Sequence, residues 1–206
     1  MIYGLYAITD HHETDDLLSH TEQVLLGGAQ IVQYRDKSTD HDRRYHNATA
    51  LCALCSRFNV PLIVNDDIQL AATVDAAGVH LGQHDGSLRE ARNRLGADAL
   101  IGVSCYASMR RAVQAQEHGA SYVAFGAMFP SSIKPFAPSA PLTLLTSARD
   151  MLDVTVVAIG GITLDNASNV VEAGANAVAV ISALKTNEPA ATAAAFRQLF
   201  DPLPAE

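Results

Sequence analysis

The chain has 206 residues, 49 % of them apolar and 17 % charged, with a net charge of −8. That allows one sizeable buried core, and the excess of carboxylates argues against a nucleic-acid-binding face. No lysine or arginine precedes Arg35, and the most apolar stretch, 170–184, is broken by Glu172, Gly174 and Asn176, so neither a secretory leader nor a membrane span is expected and a cytoplasmic setting is.

Strands are predicted, in chain order, over residues 3–9, 30–34, 61–64, 78–81, 100–104, 121–125, 155–159 and 177–181. Between them the pattern predicts helices near 15–27, 42–57, 67–74, 87–95, 108–118, 141–152, 164–173 and 188–200. Gly28-Ala29, Gly96-Ala97, Gly119-Ala120 and Gly174-Ala175 each follow a helical stretch and precede a strand. A glycine there supplies the left-handed cap that stops a helix. The helices read as amphipathic: Met109, Ala112 and Val113 share a face, as do Leu164, Ala167, Val170 and Val171. Several strands, such as Val156-Val157-Ala158-Ile159, are apolar on successive residues, as parallel strands covered on both faces must be. The second helix contains Cys52 and Cys55 in a C-x-x-C spacing, within an apolar run of Ala48, Leu51, Leu54 and Phe58. With no second ligand pair, they read as small buried hydrophobes and not as a zinc or redox site.

Eight strands alternating with eight helices predict a single-domain α/β fold over residues 1–206, a (β/α)8 TIM barrel; a doubly wound open sheet is the rival. Barrels of this kind carry their sites at the C-terminal ends of the strands. The second strand ends Gln33-Tyr34-Arg35-Asp36-Lys37, and alternation points Gln33, Arg35 and Lys37 toward the mouth as an oxyanion site. The third strand ends Asn65-Asp66-Asp67, and the fourth leads to Asp85. Asp66 and Asp85 fall close enough to share one hard cation, with water and phosphate completing its shell. Asp66 or Asp67 could instead cap the third helix, and Asp85 the fourth. His80 lies within a strand and reads as a satisfied core or supporting histidine, while His84 and the pair His11-His12 carry no partner pattern. Gly160-Gly161 after the seventh strand, and Ile181-Ser182 after the eighth, mark a phosphate position, with the following helix N-terminus favouring an anion. The connection 126–140, with Pro130, Pro135 and Pro138, is long enough to be functional.

These residues, in this order, resemble the thiamine phosphate synthase family over nearly the whole chain. The matching stretches are Gln33–Lys37, Asn65-Asp66, Gly78–Gln83 with Asp85, Ser104, the run from Phe129 to Lys134, Gly160-Gly161 and Ile181-Ser182. The resemblance implies a transferase that joins a hydroxymethylpyrimidine diphosphate to a thiazole phosphate with loss of diphosphate. It implies that Gln33, Arg35, Lys37, Asn65, Ser104 and Lys134 hold the pyrimidine diphosphate, with Tyr34 and Asp36 in the same substrate-binding stretch. Asp66 and Asp85 would bind Mg²⁺, and Ser131, Gly161, Ile181 and Ser182 would meet the thiazole phosphate, with Ser132 and Ile133 in the same substrate-binding stretch as Ser131. Arg35, Lys37, Ser104 and Lys134 carry the catalytic expectation: no protein nucleophile is needed, only charge to stabilise the leaving diphosphate.

The chain departs from the family at Ile133, where a threonine is usual before the loop lysine, at Cys105-Tyr106, where histidine often follows the serine, and at Ala127, where proline is common. The competing readings are a thiazole tautomerase of the same fold, another phosphate-binding barrel such as a sugar-phosphate isomerase, and a non-catalytic barrel that senses thiamine precursors. Retention of Arg35, Lys37, Asp66, Asp85 and Lys134 favours the synthase.

Overall fold

Strands that are apolar on successive residues need cover on both faces, and helices provide it here. The computed structural model describes residues 2–9, 14–83, 85–130 and 139–200. Among them the strands are β1 (Gly4–Ile8), β2 (Ile31–Tyr34), β3 (Leu62–Asn65), β4 (Gly78–Leu81), β5 (Leu100–Tyr106), β6 (Tyr122–Phe125), β7 (Thr155–Ile159) and β8 (Ala177–Val180). The helices are α1 (Thr14–Leu26), α2 (His41–Arg57), α3 (Ile68–Thr73), α4 (Leu88–Leu95), α5 (Met109–Glu117), α6 (Leu142–Met151), α7 (Leu164–Glu172) and α8 (Pro189–Gln198). None of these helices is long and apolar enough to cross a membrane.

Every strand pairs in parallel with its neighbours, and β1 pairs on one side with β2 and on the other with β8. Tyr6 lies opposite Ile31 across one seam and opposite Ala179 across the other. That double pairing closes the barrel and removes the open doubly wound sheet from consideration. β5 runs two residues past its expected end, with a register irregularity between Ser104 and Tyr106.

Alternate strand residues part into two layers. Leu5, Val123 and Val156 face the helices in one large apolar cluster, while Tyr6, Ile31, Ile63, Tyr122 and Val157 gather in another inside the barrel. The helical faces differ in detail from the expectation. α5 buries Ala112 and Ala115, and α7 buries Ala167 and Val170, but Leu164 at the start of α7 stays 41 % exposed.

An eight-stranded barrel has an interior just wide enough to be filled by side chains. Two phenol rings fill much of this one, and Tyr6 and Tyr122 meet edge-on at 5.9 Å between ring centroids. They fit because β5 carries Gly102 beside them: a Cβ there would lie 2.0 Å from Tyr122 Cζ. Both rings are fully buried, so neither can swing out of the way. Gly102→Ala is therefore expected to destabilise the protein by about 3 kcal/mol or more, measured by urea unfolding.

Candidate active site at the C-terminal mouth of the barrel

The mouth is built where β2, β3 and β4 end. Asp66 follows β3 with a left-handed backbone, φ 63°, and its N–H donates to the His80 carbonyl at 2.8 Å, extending the β3–β4 ladder by one step. Its carboxylate accepts from Asn65 Nδ2 at 2.6 Å and is ion-paired with Lys37 Nζ. Its neighbour Asp67 turns away. Asp67 Oδ1 caps α3 by accepting from the Leu70 N–H at 2.8 Å, and its other oxygen pairs with Arg44 at 2.7 Å. At the next strand Ser87, not Asp85, caps α4, accepting from the Glu90 N–H at 3.1 Å. The capping alternative thus falls on Asp67 and Ser87, and Asp66 and Asp85 are left for the mouth.

Those two carboxylates meet over Gly82. Asp85 Oδ2 accepts from the Gly82 N–H at 3.0 Å, and a Cβ on Gly82 would lie 2.3 Å from that oxygen and 3.8 Å from Asp66 Oδ1. A side chain at 82 would push the pair apart. Burial raises the Asp85 carboxyl above the ordinary carboxylate range, and the adjoining Asp66 raises it further, against the opposing pull of Lys37 and the Gly82 N–H. Two hard oxygen donors that repel one another, beside an ammonium, fit a divalent cation that takes few protein ligands and keeps water and phosphate for the rest, as Mg²⁺ does.

Beneath the mouth runs a line of buried polar groups in which Gln33, Ser104 and a supporting His80 were expected from the sequence, and Tyr6 and Tyr122 were not. Gln33 Nε2 donates to Tyr6 Oη at 2.7 Å, and Tyr6 and Tyr122 share a 2.8 Å hydrogen bond. Tyr122 Oη meets His80 Nδ1 at 3.1 Å, and His80 Nε2 meets Ser104 Oγ at 2.8 Å. The chain crosses the barrel from β2 through β1, β6 and β4 to β5. It joins two expected ligand residues, Gln33 and Ser104, that are 71 positions apart in sequence. Burial holds both phenols well above their ordinary range, so they stay protonated and can donate. The available signal was a pair of tyrosines at inward positions of otherwise apolar strands, since a buried phenol needs a partner.

At β7 and β8 the geometry is tighter than expected. Gly161 has φ 64°, and a Cβ there would meet the Phe129 and Pro130 carbonyls at 2.5 Å each. The loop from β6 is drawn over β7 by Met128 N–H to Ile159 O and Phe129 N–H to Gly160 O, both 3.0 Å. Its two feet also touch, with Ala140 N–H on Ala127 O at 2.8 Å. The glycine at 161 is thus required by the loop's close approach, before any ligand is considered. The Thr163 N–H at the start of α7 is taken by Asn166 Oδ1 at 2.9 Å. After β8, Ile181 leads into a single 3₁₀ turn, Ser182–Leu184, and α8 starts only at Pro189. The last helix starts where it was expected, near residue 188, and the short turn lies between it and Ser182. Ser131, Ser132, Ile133 and Lys134 lie outside the described residues, as do His11, His12 and His84.

Residues 5–184 match the family described as thiamine monophosphate synthase. The chain belongs to this family. It is 52 % identical to the thiamine-phosphate synthase of Nitrosococcus oceani, over 97 % of this chain and 93 % of that one. It is 54 % identical to the Methylobacillus flagellatus thiamine-phosphate synthase, over 97 % and 96 % respectively. The thiamine phosphate pyrophosphorylase structure from Pyrococcus furiosus superposes with a TM-score of 0.87 at 30 % identity, covering 96 % of this chain and 95 % of that one. The thiamine monophosphate synthase relatives are transferases, and membership makes this chain an enzyme of that class.

Within this family member, two expected substrate-binding side chains point away from the pocket. Tyr34 is buried among Leu51, Leu54 and Leu17 of the helical layer, and its hydroxyl donates to Asp36 Oδ2 at 3.2 Å. Asp36 is only 4 % exposed; it pairs with Arg43 of α2 at 3.2 Å and accepts from the Ser38 N–H at 2.8 Å. The reason is the pleat: if Gln33 points in, Tyr34 points out, and Asp36 follows it to brace α2. Arg35 is half-buried, with its N–H on Thr9 Oγ1 at 3.0 Å. Cys52 and Cys55 are pushed by burial to about 11 and about 12, which leaves them as neutral thiols on α2, as expected of small hydrophobes.

Burial alone would raise the Asp36 carboxyl, but Ser38 and then Arg43 outweigh it and hold it at about 2, below its ordinary 3.8. A depressed folded-state value contributes stability above the unfolded value and loses it as the pH falls through the folded one. Asp36→Asn is expected to cost about 2 kcal/mol at neutral pH, with the difference from wild type shrinking between about pH 4 and pH 2 in acid-dependent urea unfolding.

Proposed function

We propose that this chain makes thiamine phosphate in the cytoplasm, by joining 4-amino-2-methyl-5-hydroxymethylpyrimidine diphosphate to the thiazole phosphate with Mg²⁺-assisted release of diphosphate. The observation that carries this reading is the convergence of Lys37, Asn65, Asp66 and Asp85 at one side of the mouth, with cation, amide and paired carboxylates in contact. That set suits a diphosphate together with its metal.

Asp66 and Asp85 would hold the Mg²⁺ ion, which when bound supplies positive charge to the diphosphate oxygens. Lys37, Arg35 and the loop residue Lys134 take the remaining negative charge as the pyrimidine's methylene carbon–oxygen bond breaks and its electron pair leaves with the diphosphate. In the proposed roles, Ser104, Asn65 and Gln33 orient the pyrimidine half. Ser131, Ser132, Ile133, Gly161, Ile181 and Ser182 seat the thiazole phosphate, so that the ring nitrogen lies ready to give its lone pair to the exposed carbon. The barrel walls keep water from that carbon. Lys37, ion-paired with Asp66, is the ammonium of this cluster and would share the diphosphate's charge with the ion that the two aspartates would hold.

Mixing the protein with both substrates and Mg²⁺ is expected to give thiamine phosphate and an equal amount of diphosphate; no product would overturn the reading. Asp66→Asn and Asp85→Asn should each lower kcat about a hundredfold or more and raise the Mg²⁺ concentration needed for half-maximal rate. Lys134→Ala should lower kcat far more than it weakens thiazole phosphate binding; a defect in binding alone would contradict a role at the leaving group.

A further inference from the structure

The line of hydrogen bonds from Gln33 to Ser104 has a direction, and the direction assigns a role to two residues that no part of the reaction has yet required. Tyr6 Oη accepts from Gln33 Nε2. Its own proton then has one described acceptor, Tyr122 Oη at 2.8 Å. Were the chain to run the other way, Tyr122 would donate to Tyr6, and the Tyr6 proton would be left without an acceptor among the described residues. Tyr6 is 1 % exposed, so no water replaces the lost partner. With Tyr6 donating to Tyr122, the Tyr122 proton turns to His80 Nδ1 at 3.1 Å. A ring whose Nδ1 accepts carries its proton on Nε2, and that nitrogen faces Ser104 Oγ at 2.8 Å. Ser104 therefore accepts from below, and its own O–H is turned outward.

We propose that Tyr122 and His80 are positioning residues that hold His80 as its Nε2–H tautomer and thereby present Ser104 to the pocket as a hydrogen-bond donor. His80 does not touch the reacting atoms; it acts through Ser104. The geometry around it is built for constancy. His80 is stacked on Tyr122 with 5.6 Å between centroids, and the glycine opposite it, Gly102, makes the room that Tyr122 occupies. A serine hydroxyl otherwise rotates to suit its neighbours. Here the rotor is set before ligand arrives, which spares the ordering cost during reaction and favours an acceptor atom at that point. The last step rests on the proposed function, in which Ser104 meets the pyrimidine diphosphate; the tautomer itself does not.

Two measurements test this. A ¹⁵N-resolved imidazole spectrum of the wild-type protein, with the His80 signal identified by its loss in His80→Gln, is expected to show the proton on Nε2 and a bare Nδ1. A proton on Nδ1 would overturn the proposed direction. Tyr122→Phe removes the donor to Nδ1 together with the acceptor of the Tyr6 proton, and it should lower kcat about tenfold with little change in the dissociation constant of thiazole phosphate. Because Tyr122 acts through Ser104, the double variant Tyr122→Phe/Ser104→Ala should be no slower than Ser104→Ala alone. If the two losses multiply, or if Tyr122→Phe leaves kcat at the wild-type value, the positioning role is wrong. A wild-type protein that forms no thiamine phosphate would overturn the functional reading instead, and the spectrum would still decide the tautomer.

Discussion

A closed sheet of eight strands encloses a lumen that has to be filled, and what fills it decides which chemistry the mouth can present. In this protein the filling is partly polar. Tyr6 and Tyr122 meet at the centre, and each hydroxyl must find a partner because no water reaches it. A buried phenol left unsatisfied costs about 1–3 kcal/mol, so the partners are as constrained as the rings. Gln33 and His80 meet that demand, and Ser104 meets His80. The packing of the lumen and the orientation of groups beneath the mouth are thus one arrangement. Gly102 belongs to it as much as the tyrosines do, because the ring of Tyr122 lies where its Cβ would be.

The rim follows a division of labour among residues of the same type. Asp66 and Asp67 are neighbours with opposite duties. One faces the mouth, with a left-handed backbone and Lys37 as its counter-charge, and the other closes the first turn of α3. Ser87 caps α4 and so leaves Asp85 to face Asp66. Helix capping is a local demand that any Ser, Thr, Asp or Asn can meet. Because Asp67 and Ser87 meet it, the Asp66 and Asp85 carboxylates remain close together at the mouth. The resulting repulsion suits a site meant to be completed by a cation.

Much of this was legible in advance. The helix–strand rhythm and the glycines at its junctions led to the barrel, since both depend on local periodicity and on backbone freedom at single positions. The charged strand ends led to the mouth, because a barrel carries its site at one end of its strands. Tyr34 and Asp36 share the motif of Gln33 and Arg35, yet alternation sends their side chains to α2, and the resemblance treated the motif as a block.

By itself the sequence determined the order and kind of the elements, the end of the barrel that bears the site, and the residues able to carry charge there. All of these are written in short-range pattern. Tertiary structure alone decided that β1 closes on β8, which aspartates cap and which face the pocket, and that Tyr6 reaches Tyr122 across 116 residues. Such pairings depend on where separate strands come to lie around the barrel, and periodicity along one strand carries no information about its neighbour across the lumen. For that reason the charged rim could be read from the motifs, while the buried polar line supporting it emerged only once the sheet had closed.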